Sequence, residues 1–223
     1  MDLSKFVAII PARGGSKGIH KKNIVDIHGK PLISFTIEAA QALFNKEQIF
    51  VSTDSTEIAD ISTKFGANVP FLRPQEISQD SSSSIDLIDD FLKRYNQFEH
   101  IVLLQPTSPL RTKKNLYEAL KLYIEQKSEC LISVKEVNYT PEYLMQANDK
   151  KIKLDNTLNH IRRQEAEKRY YPNGAIYIAS KNHILTHKSF FTNSTHYYLM
   201  DPISSIDIDN EYDLEIVRKI LKK

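Results

Sequence analysis

The chain has 223 residues, of which 41% are hydrophobic and 26% charged, so it can bury a substantial core within one domain. Its formal net charge is only +2 at pH 7 with His neutral, which argues against a nucleic-acid-binding surface, and no apolar run is long enough to cross a bilayer. The single cysteine, Cys130, excludes an internal disulfide and a cysteine-rich metal site.

Short apolar runs alternate with segments of helical periodicity along the chain. The first run, Phe6 to Pro11, predicts a strand; Pro11 and Arg13 interrupt it before any cleavage site, so we expect no signal peptide and a cytoplasmic protein. Further strands are predicted at 48–53, 68–73, 100–105, 130–137 and 173–179, and helices at 31–44, 55–67, 83–95, 113–125 and 211–223. This alternation predicts an α/β sandwich with a mainly parallel sheet.

Several helix ends carry recognisable signals. Pro31 suits the first position of the first predicted helix, and Gly66 suits the C-terminal cap of the second. The serine run 81–84 offers N-cap candidates for the third helix.

The periodicity weakens and charge rises over residues 138–171. In a compact chain, a loop-rich insertion of this kind is more often a lid or a partner-binding arm than a solvated excursion. We therefore predict one domain over residues 1–223, with 138–171 as an inserted arm.

Three of the six glycines lie in IIPARGGSKGIHKKNI, directly after the first strand. Open α/β folds bind ligands at the carboxyl ends of their strands, and glycine lets backbone N–H groups approach an anion. Arg13, Lys17, Lys21 and Lys22 add positive charge there, so we predict a polyphosphate site rather than a turn with solvated lysines. The G-x-x-x-x-G-K-[ST] and G-x-G-x-x-G spacings are absent, which argues against a P-loop ATPase and a dinucleotide-dependent dehydrogenase.

Two carboxylates near the C-terminus are the metal-ligand candidates. Asp207 and Asp209 are two residues apart, so in an extended segment their side chains leave on one face and can share a hard cation such as Mg²⁺. The alternative is that Asp209 or Asn210 caps the final helix. His183 and His187 lack a suitably spaced acidic partner, so we expect surface histidines rather than a zinc site.

Seven motifs occur in a fixed order from Phe6 to Asp213: ARGGSKGIHKKN, HGKPLISFTIEAA, VSTD, LRP, LLQPTSPLR, NGAIYI and SIDID. Together they resemble the acylneuraminate cytidylyltransferases, the family of CMP-sialic acid synthetases and their bacterial CMP-nonulosonate synthetase relatives. The resemblance implies a three-layer Rossmann-like nucleotidyltransferase sandwich with a small dimerisation arm. It also implies transfer of CMP from CTP to the anomeric hydroxyl of a nonulosonic acid, with release of pyrophosphate.

The same resemblance implies a cofactor and an assembly. Mg²⁺ is the implied metal, with Mn²⁺ able to substitute. The implied assembly is a cytoplasmic homodimer in which the two subunits share the sugar site. The implied role is in cell-surface polysaccharide biosynthesis, and we expect no nucleic-acid or membrane partner.

Individual roles follow from the positions that match the family's motifs. The implied catalytic residues are Arg13, Lys17, Lys22 and Asp209. The implied nucleotide-binding residues are Ala12, Arg13, Gly14, Ser16, Lys17, Lys22, Asn23, Arg73 and Ser84. The implied substrate-binding residues are Gln105, Arg111 (which helps to fix the Gln105 loop), Arg163, Gln164 and Tyr171, and the implied metal ligands are Asp207 and Asp209.

The chain departs from the sialate pattern where the sugar is concerned. Tyr171 and Pro172 stand where sialate-specific enzymes typically have Arg-Pro or Arg-Ile, and a basic residue is missing around 141–143. Arg163 and Gln164 do match the family's pair, so the sugar carboxylate keeps an implied partner. Because the part of the pocket that would contact the ring substituents differs, legionaminic and pseudaminic acids become substrate candidates. The alternatives are a KDO-type cytidylyltransferase, a metal-dependent glycosyltransferase, suggested by the D-x-D at 207–209, and a non-catalytic nucleotide-sensing module.

Overall fold

A computed structural model of the chain describes residues 1–16, 18–137, 146–148, 151–153 and 167–222. Within these ranges the strands are β1 (Phe6–Pro11), β2 (Asp26–Ile27), β3 (Lys30–Pro31), β4 (Ile49–Ser52), β5 (His100–Leu103), β6 (Cys130–Glu136), β7 (Gln146–Asn148), β8 (Lys151–Lys153), β9 (Tyr170–Ser180) and β10 (His196–Leu199). The α-helices there are α1 (Leu32–Gln41), α2 (Thr56–Lys64), α3 (Ser84–Arg94), α4 (Lys113–Glu125), α5 (Lys181–His187) and α6 (Glu211–Leu221).

The main sheet has six strands in the order β10-β6-β9-β5-β1-β4. The pairs β1–β4, β1–β5 and β6–β10 are parallel, whereas β9 runs antiparallel to both β5 and β6. The predicted mainly parallel sheet is therefore confirmed, with one reversed strand in its interior.

Helices cover both faces of this sheet, which makes three layers. On one face, Ile37 of α1 and Leu120 of α4 pack against the sheet; on the other, Phe91 of α3 and Ile184 of α5 do so. Successive residues of β1 enter the two cores alternately, since side chains of a strand point to opposite faces. This double burial explains why the run at 6–10 is continuously apolar.

A third, smaller apolar cluster lies at one end of the sandwich and joins elements that are far apart in sequence. It contains Ile19, Ile27, Leu32, Leu110, Ile208, Leu214 and Val217, all of which are buried. These residues come from the glycine-rich loop, the β2–β3 hairpin, the start of α1, the loop after β5, the segment before α6 and α6 itself. We refer to them as the loop cluster below.

Two details differ from the predictions. Residues 68–73 do not form a strand: Asn68 makes one isolated parallel bridge to Phe50, and Pro70, which has no N–H to donate, follows two residues later. Pro31 is the N-cap of α1 with extended backbone rather than its first helical residue. By contrast, Gly66 does follow the C-cap of α2 with φ +89°, and Ser83 is the N-cap of α3.

Only parts of the proposed arm at 138–171 fall within the described residues. The short strands β7 and β8 pair antiparallel as a separate two-stranded sheet. The prediction of a dimerisation arm otherwise lies outside the described residues and stays a prediction. In the described part of the chain, no helix combines the length and apolar character needed to span a membrane.

We expect a matched pair of isoleucine substitutions to report the central core. Ile101 of β5 is fully buried, so Ile101→Ala should lower the free energy of unfolding by about 2–5 kcal/mol through lost burial and a residual cavity. Ile124→Ala on the outer side of α4, where 39% of the residue is exposed, should change it by about 0.5 kcal/mol or less. Urea titration of both variants measures the difference, and equal effects would contradict the packing described above.

Candidate active site

A cleft of about 480 Å³ opens at the carboxyl ends of β1 and β5. β1 lies between β4 and β5 in the sheet. After β1, the chain forms β4 on one side of it and later forms β5 on the other side. Loops that follow the strands diverge at such a switch point and leave a crevice between them. The cleft is lined by Pro11, Arg13, Ser16, Gly18, Lys22, Asn23, Arg73, Ile77, Ser78, Gln79, Asp80, Ser82, Ser83, Ser84, Leu87, Gln105, Pro106, Thr107, Asp207 and Asp209.

The glycine-rich loop forms one wall of this cleft. Asn23 is buried, and its Nδ2 donates to the Arg13 carbonyl oxygen at 2.9 Å, which ties the end of the loop to its beginning. Gly18 passes directly against the backbone of the opposite wall, because a Cβ atom at this position would lie 2.5 Å from the Asp209 carbonyl oxygen. Only glycine permits this close approach. Ile19 then anchors the loop in the loop cluster.

Two cations of this loop point into the cleft and are held by oxygen partners. The Lys22 Nζ donates to the Ile208 carbonyl oxygen at 2.8 Å and lies 3.5 Å from Asp209 Oδ1. The Arg13 guanidinium forms an ion pair with Asp80 across the cleft. The loop and its opposite walls are thus joined by charge-assisted contacts before any ligand binds.

Arg73 adds a third cation that is incompletely satisfied. It is 8% exposed, and its Nε and Nη2 make no hydrogen bond with any described residue. Burial lowers the pKa of its guanidinium, the negative charge of Asp54 opposes this effect, and the positive charge of Arg13 adds to it. Buried donors without partners are rare in proteins, so this side chain provides unused donors for a ligand in the cleft.

Asp207 and Asp209 both line the cleft, but their surroundings differ. The Asp207 Oδ1 is buried and makes no hydrogen bond with any described residue, whereas the Asp209 side chain is 77% exposed. Burial raises the pKa of Asp207; a hydrogen bond from Thr107 opposes this, and the charge of Asp209 adds to it. An orphaned carboxylate oxygen beside a second carboxylate is what a bound cation would satisfy.

The competing capping role falls to a neighbour of Asp209. The Asn210 Oδ1 accepts hydrogen bonds from the N–H groups of Tyr212 and Asp213 at the start of α6. The Asp213 carboxylate in turn accepts from the N–H groups of Asp209 and Asn210 at 3.0 and 3.1 Å. The carboxylate of Asp209 is therefore not needed to cap the helix.

The remaining predicted residues have different outcomes. Gln105 and Ser84 line the cleft. Ala12 and Gly14 do not line it, and their N–H groups donate to the Ser52 carbonyl oxygen and to Asp54 Oδ1, so a nucleotide contact by these two residues stays a prediction that does not draw on these N–H groups. The Ala12 bond continues the pairing of β1 with β4 past Pro11, whereas the Gly14 bond is made by the Asp54 side chain. Lys17, Arg163 and Gln164 lie outside the described residues.

Arg111 lies behind the lining of the cleft rather than in it. It is 3% exposed, and its guanidinium donates to the carbonyl oxygens of Gln105 and Ala175 and to Thr36 Oγ1. Burial lowers its pKa to about 9. It fixes the Gln105 loop, as the sequence analysis expected of it.

Tyr171 also lies outside the lining of the cleft. It is 54% exposed on β9, and the Lys135 Nζ sits 5.3 Å from its ring centroid. His183 is buried against the core and not at the surface as predicted, because α5 packs directly on β9. No group of three or more His, Cys, Asp or Glu side chains within the described ranges is arranged to hold a metal ion.

Several cleft residues were missed by the sequence analysis. Thr107 accepts the Ile208 N–H on its carbonyl oxygen at 2.8 Å and lines the cleft beside Asp207. The polar turn at 78–83 forms another wall, although its serines were interpreted only as helix caps. The signal for this wall was present as the polar, serine-rich stretch that follows the LRP motif.

An aromatic group lies next to the acidic side of the cleft. The Tyr177 ring centroid is 5.2 Å from that of Phe190 and 6.3 Å from that of Phe191. Burial raises the pKa of Tyr177 and the charge of Asp207 raises it further, so the two side chains are within electrostatic reach. Phe191 and Tyr197 also line a second depression of about 370 Å³ at the β10 edge.

The chain is similar to characterised families over nearly its whole length. The family model described as "Cytidylyltransferase" matches residues 7–222. An N-acylneuraminate cytidylyltransferase of Escherichia coli O18:K1:H7 (strain RS218 / NMEC) is 39% identical over 99% of this chain, which spans about half of that protein, 53% of its length. The CMP-N,N'-diacetyllegionaminic acid synthase of Legionella pneumophila (strain Philadelphia 1) is 36% identical, covering 98% of this chain and 97% of that one. The pseudaminic acid cytidylyltransferase of Campylobacter jejuni serotype O:2 (strain ATCC 700819 / NCTC 11168) is 32% identical, with coverages of 98% and 97%.

Solved structures share the fold at lower sequence identity. A CMP:2-keto-3-deoxy-manno-octonic acid synthetase complexed with CTP superposes with a TM-score of 0.68 at 17% identity, covering 97% of this chain and 98% of that one. A 4-diphosphocytidyl-2C-methyl-D-erythritol synthase superposes with a TM-score of 0.70 at 14% identity, covering 98% of each. These likenesses establish the Rossmann-like nucleotidyltransferase sandwich that the sequence motifs implied.

Three substitutions at two neighbouring residues should separate the cap from the cleft carboxylate. Asn210→Ala removes the cap of α6 and should lower the free energy of unfolding by about 1 kcal/mol, whereas Asn210→Asp, which keeps an acceptor oxygen, should have little effect. Asp209→Asn should leave stability within about 0.5 kcal/mol of the wild-type value. Thermal unfolding of the three variants is the measurement. A loss in Asp209→Asn as large as that in Asn210→Ala would assign the cap to Asp209 instead.

Proposed function

The chain belongs to the cytidylyltransferase family, and on that premise we propose that it transfers CMP from CTP to the anomeric hydroxyl of a nonulosonic acid and releases pyrophosphate. The observation that carries this proposal is the single cleft in which Arg13, Lys22 and Arg73 face the pair Asp207 and Asp209. Cations on one wall suit a triphosphate, and paired carboxylates on the other suit a divalent cation bound with it.

The nucleotide would lie along the glycine-rich loop. Arg13 and Lys22 bind the triphosphate, with Ser16 as a further polar contact. Lys17, which is not among the described residues, is assigned to the triphosphate by its position in the sequence motif. Asn23, Arg73 and Ser84 hold the ribose and the cytosine. The two unpartnered nitrogens of Arg73 support this assignment, since a bound nucleoside would supply the acceptors they lack.

Catalysis in this site rests on positioning and on charge. The sugar hydroxyl attacks the α-phosphorus in line, the bond to the bridging oxygen of the β-phosphate breaks, and the hydroxyl proton is released. Negative charge develops on the departing pyrophosphate and on the equatorial oxygens. Lys22, held rigidly by the Ile208 carbonyl oxygen, stabilises that charge at the α-phosphate without having to reorganise.

Asp207 and Asp209 would hold Mg²⁺, with Mn²⁺ able to take its place. The orphaned Oδ1 of Asp207 supports this, because a buried carboxylate oxygen without a partner is costly unless a cation or donor satisfies it. Two carboxylates leave coordination positions open for phosphate oxygens and water, as Mg²⁺ prefers. The chemistry that such an ion supplies is neutralisation of phosphate charge and a lower pKa for an oxygen ligand.

The acceptor sugar would lie beyond the α-phosphate, toward Gln105 and the aromatic group around Tyr177. Gln105 provides an amide for the sugar hydroxyls, and Arg163 with Gln164 would bind its carboxylate. The apolar depression at Phe191 and Tyr197 supports a sugar with apolar substituents, of the legionaminic or pseudaminic type. The KDO-type and glycosyltransferase alternatives are not favoured, because the relatives at 32–39% identity are cytidylyltransferases or CMP-sugar synthases of nonulosonic acids.

We further propose that the enzyme is a cytoplasmic homodimer whose arm at 138–171 reaches the sugar site of the second subunit. The exposed Tyr197 and Leu199 at the open β10 edge of the sheet support this arrangement. Tyr170, at the base of the arm, stacks on Tyr197 with ring centroids 5.1 Å apart. An edge strand with exposed apolar side chains is a typical contact surface.

Pyrophosphate release tests the proposed reaction directly. The chain is supplied with CTP and Mg²⁺ and, separately, N-acetylneuraminate, N,N'-diacetyllegionaminate, pseudaminate and KDO. We expect release with at least one nonulosonate, dependent on the metal, together with formation of the CMP-sugar. Binding of CTP without release for all four sugars would overturn the proposal and favour a nucleotide-sensing module.

Two adjacent lysines provide a matched test of the charge stabilisation. Lys22→Ala should lower kcat about 100-fold or more, by analogy with the loss of a donor to transition-state charge. Lys21→Ala should leave kcat close to wild type, because Lys21 pairs with Glu57 and does not line the cleft. Steady-state kinetics of both variants with saturating CTP is the measurement. Equal losses, or an unchanged rate in Lys22→Ala, would remove Lys22 from the mechanism.

A further inference from the structure

The reversed strand β9 contains a large bulge next to the cleft. Tyr177 pairs with Ile132 and Pro172 pairs with Val134, so residues 173–176 of β9 stand opposite the single residue Ser133 of β6. Bulges of this kind occur next to active sites, where they redirect side chains out of the regular pleat. The bulge places Asn173 and Gly174 at the boundary between the sheet and the cleft walls.

The bulge is braced by buried side chains on both neighbouring elements. The Ser133 Oγ accepts the Ile176 N–H at 2.8 Å, and the Arg111 Nη1 donates to the Ala175 carbonyl oxygen at 2.7 Å. Ser133 and Arg111 are 1% and 3% exposed. Backbone groups freed by the broken ladder are thus satisfied, and the irregular shape is held rigidly.

Asn173 uses this shape to connect the sheet with the segment that carries the two carboxylates. Its Oδ1 accepts the Ser133 hydroxyl at 2.6 Å, and its Nδ2 donates to Ser205 Oγ at 2.8 Å. Asn173 and Ser205 are 3% and 1% exposed, so both groups are removed from water. A fully satisfied buried amide specifies one geometry, because every alternative leaves polar atoms unpaired.

Ser205 lies two residues before Asp207, in a segment that is also held by hydrogen bonds on both sides of Ser205. The Asp201 carboxylate accepts the N–H groups of Ile203 and Ser204, and the Ile208 N–H donates to the Thr107 carbonyl oxygen. The hydrogen bond from Asn173 ties this segment to the sheet at Ser205. A shift there would move the Asp207 carboxylate.

The next residue of the bulge shapes the opposite, sugar-facing side. Gly174 has φ +77°, and a Cβ atom at this position would lie 2.8 Å from Gln105 Oε1. The Gln105 side chain therefore packs directly over the glycine. One dipeptide of the sheet thus contacts both the residue proposed to bind the sugar and the segment proposed to bind the metal.

We propose that Asn173 is a positioning residue, which sets the metal-binding geometry of Asp207 through its hydrogen bond to Ser205. This inference rests on the proposed function, because it takes Asp207 and Asp209 as the cation ligands. Asn173 does not line the cleft. Its Nδ2 reaches the acidic segment through Ser205 Oγ and also contacts Met200 Sδ. Its Oδ1 accepts from the Ser133 hydroxyl and the Ala175 N–H within the bulge. Residues that orient the ligands of a metal typically contribute about 10–100-fold to metal affinity or activity.

The test compares cation affinity with stability in three variants. Asn173→Ala and Ser205→Ala remove the two ends of the hydrogen bond. Ser62→Ala is the control, since Ser62 is also a buried, hydrogen-bonded serine but lies in α2 away from the cleft lining. Mn²⁺ affinity is measured with CTP bound and no sugar present, by electron paramagnetic resonance of the free ion, and thermal unfolding is recorded alongside.

We expect Ser205→Ala and Asn173→Ala to weaken Mn²⁺ binding about 10-fold. The double variant should bind Mn²⁺ no more weakly than Asn173→Ala, since that substitution already removes the hydrogen bond that Ser205→Ala removes. Ser62→Ala should bind Mn²⁺ as the wild type does, whatever its melting temperature. If Asn173→Ala fails to fold, Ser205→Ala alone decides the question.

Wild-type Mn²⁺ affinity in Ser205→Ala would overturn the inference, and so would an equal loss in Ser62→Ala. The absence of Mn²⁺ binding by the wild-type chain with CTP would overturn it as well. Because this readout needs no turnover, it is separate from the proposed reaction. A chain that binds Mn²⁺ and CTP but releases no pyrophosphate with any sugar would refute the proposed function and leave the Mn²⁺ comparison to decide the role of Asn173.

Discussion

Burial of Ile19, Leu110 and Ile208 in one apolar cluster is the constraint on which the cleft depends. These residues lie in three loops that no regular strand pairing connects. Each of these loops also carries polar residues that line the cleft, close in sequence to its buried apolar residue. Removing the apolar side chains from water supplies the free energy that keeps the flexible, charged loops together. Without that cluster, the cations of the first loop and the carboxylates near α6 would be hydrated separately rather than held facing one another.

A second consequence of this arrangement is that the charges are ordered before a ligand arrives. Lys22 is bound to a carbonyl oxygen, Arg13 to a carboxylate, and Arg111 braces the Gln105 loop from behind. Ordering charged side chains in the free protein reduces the entropy lost when a substrate binds. Meanwhile Arg73 and Asp207 retain polar atoms without partners among the described residues, so the site combines rigidity with unused binding capacity.

The limits of sequence-based prediction follow from the same geometry. The apolar runs and helix signals predicted most elements, because burial on two faces and cap preferences leave local traces. The order of strands and the reversal of β9 left none, since they depend on pairing between distant segments. Ala12 and Gly14 were assigned to the nucleotide because they occupy the loop, but their N–H groups are engaged by β4 and by Asp54. Arg111 was similarly placed by its motif, and only the packing shows that it faces away from the cleft.

The sequence by itself determined the class of the protein: an α/β chain with a basic, glycine-rich loop after its first strand and two spaced carboxylates near its end. Those features are local, because loop flexibility, charge and residue spacing can be read from neighbouring positions. The tertiary structure alone decided which of these groups meet, that Asn210 rather than Asp209 caps α6, and that Asn173 joins the sheet to the acidic segment. These outcomes depend on hydrogen bonds and packing between residues that are distant in sequence. Such contacts stabilise the protein only after the chain has folded and brought those residues together.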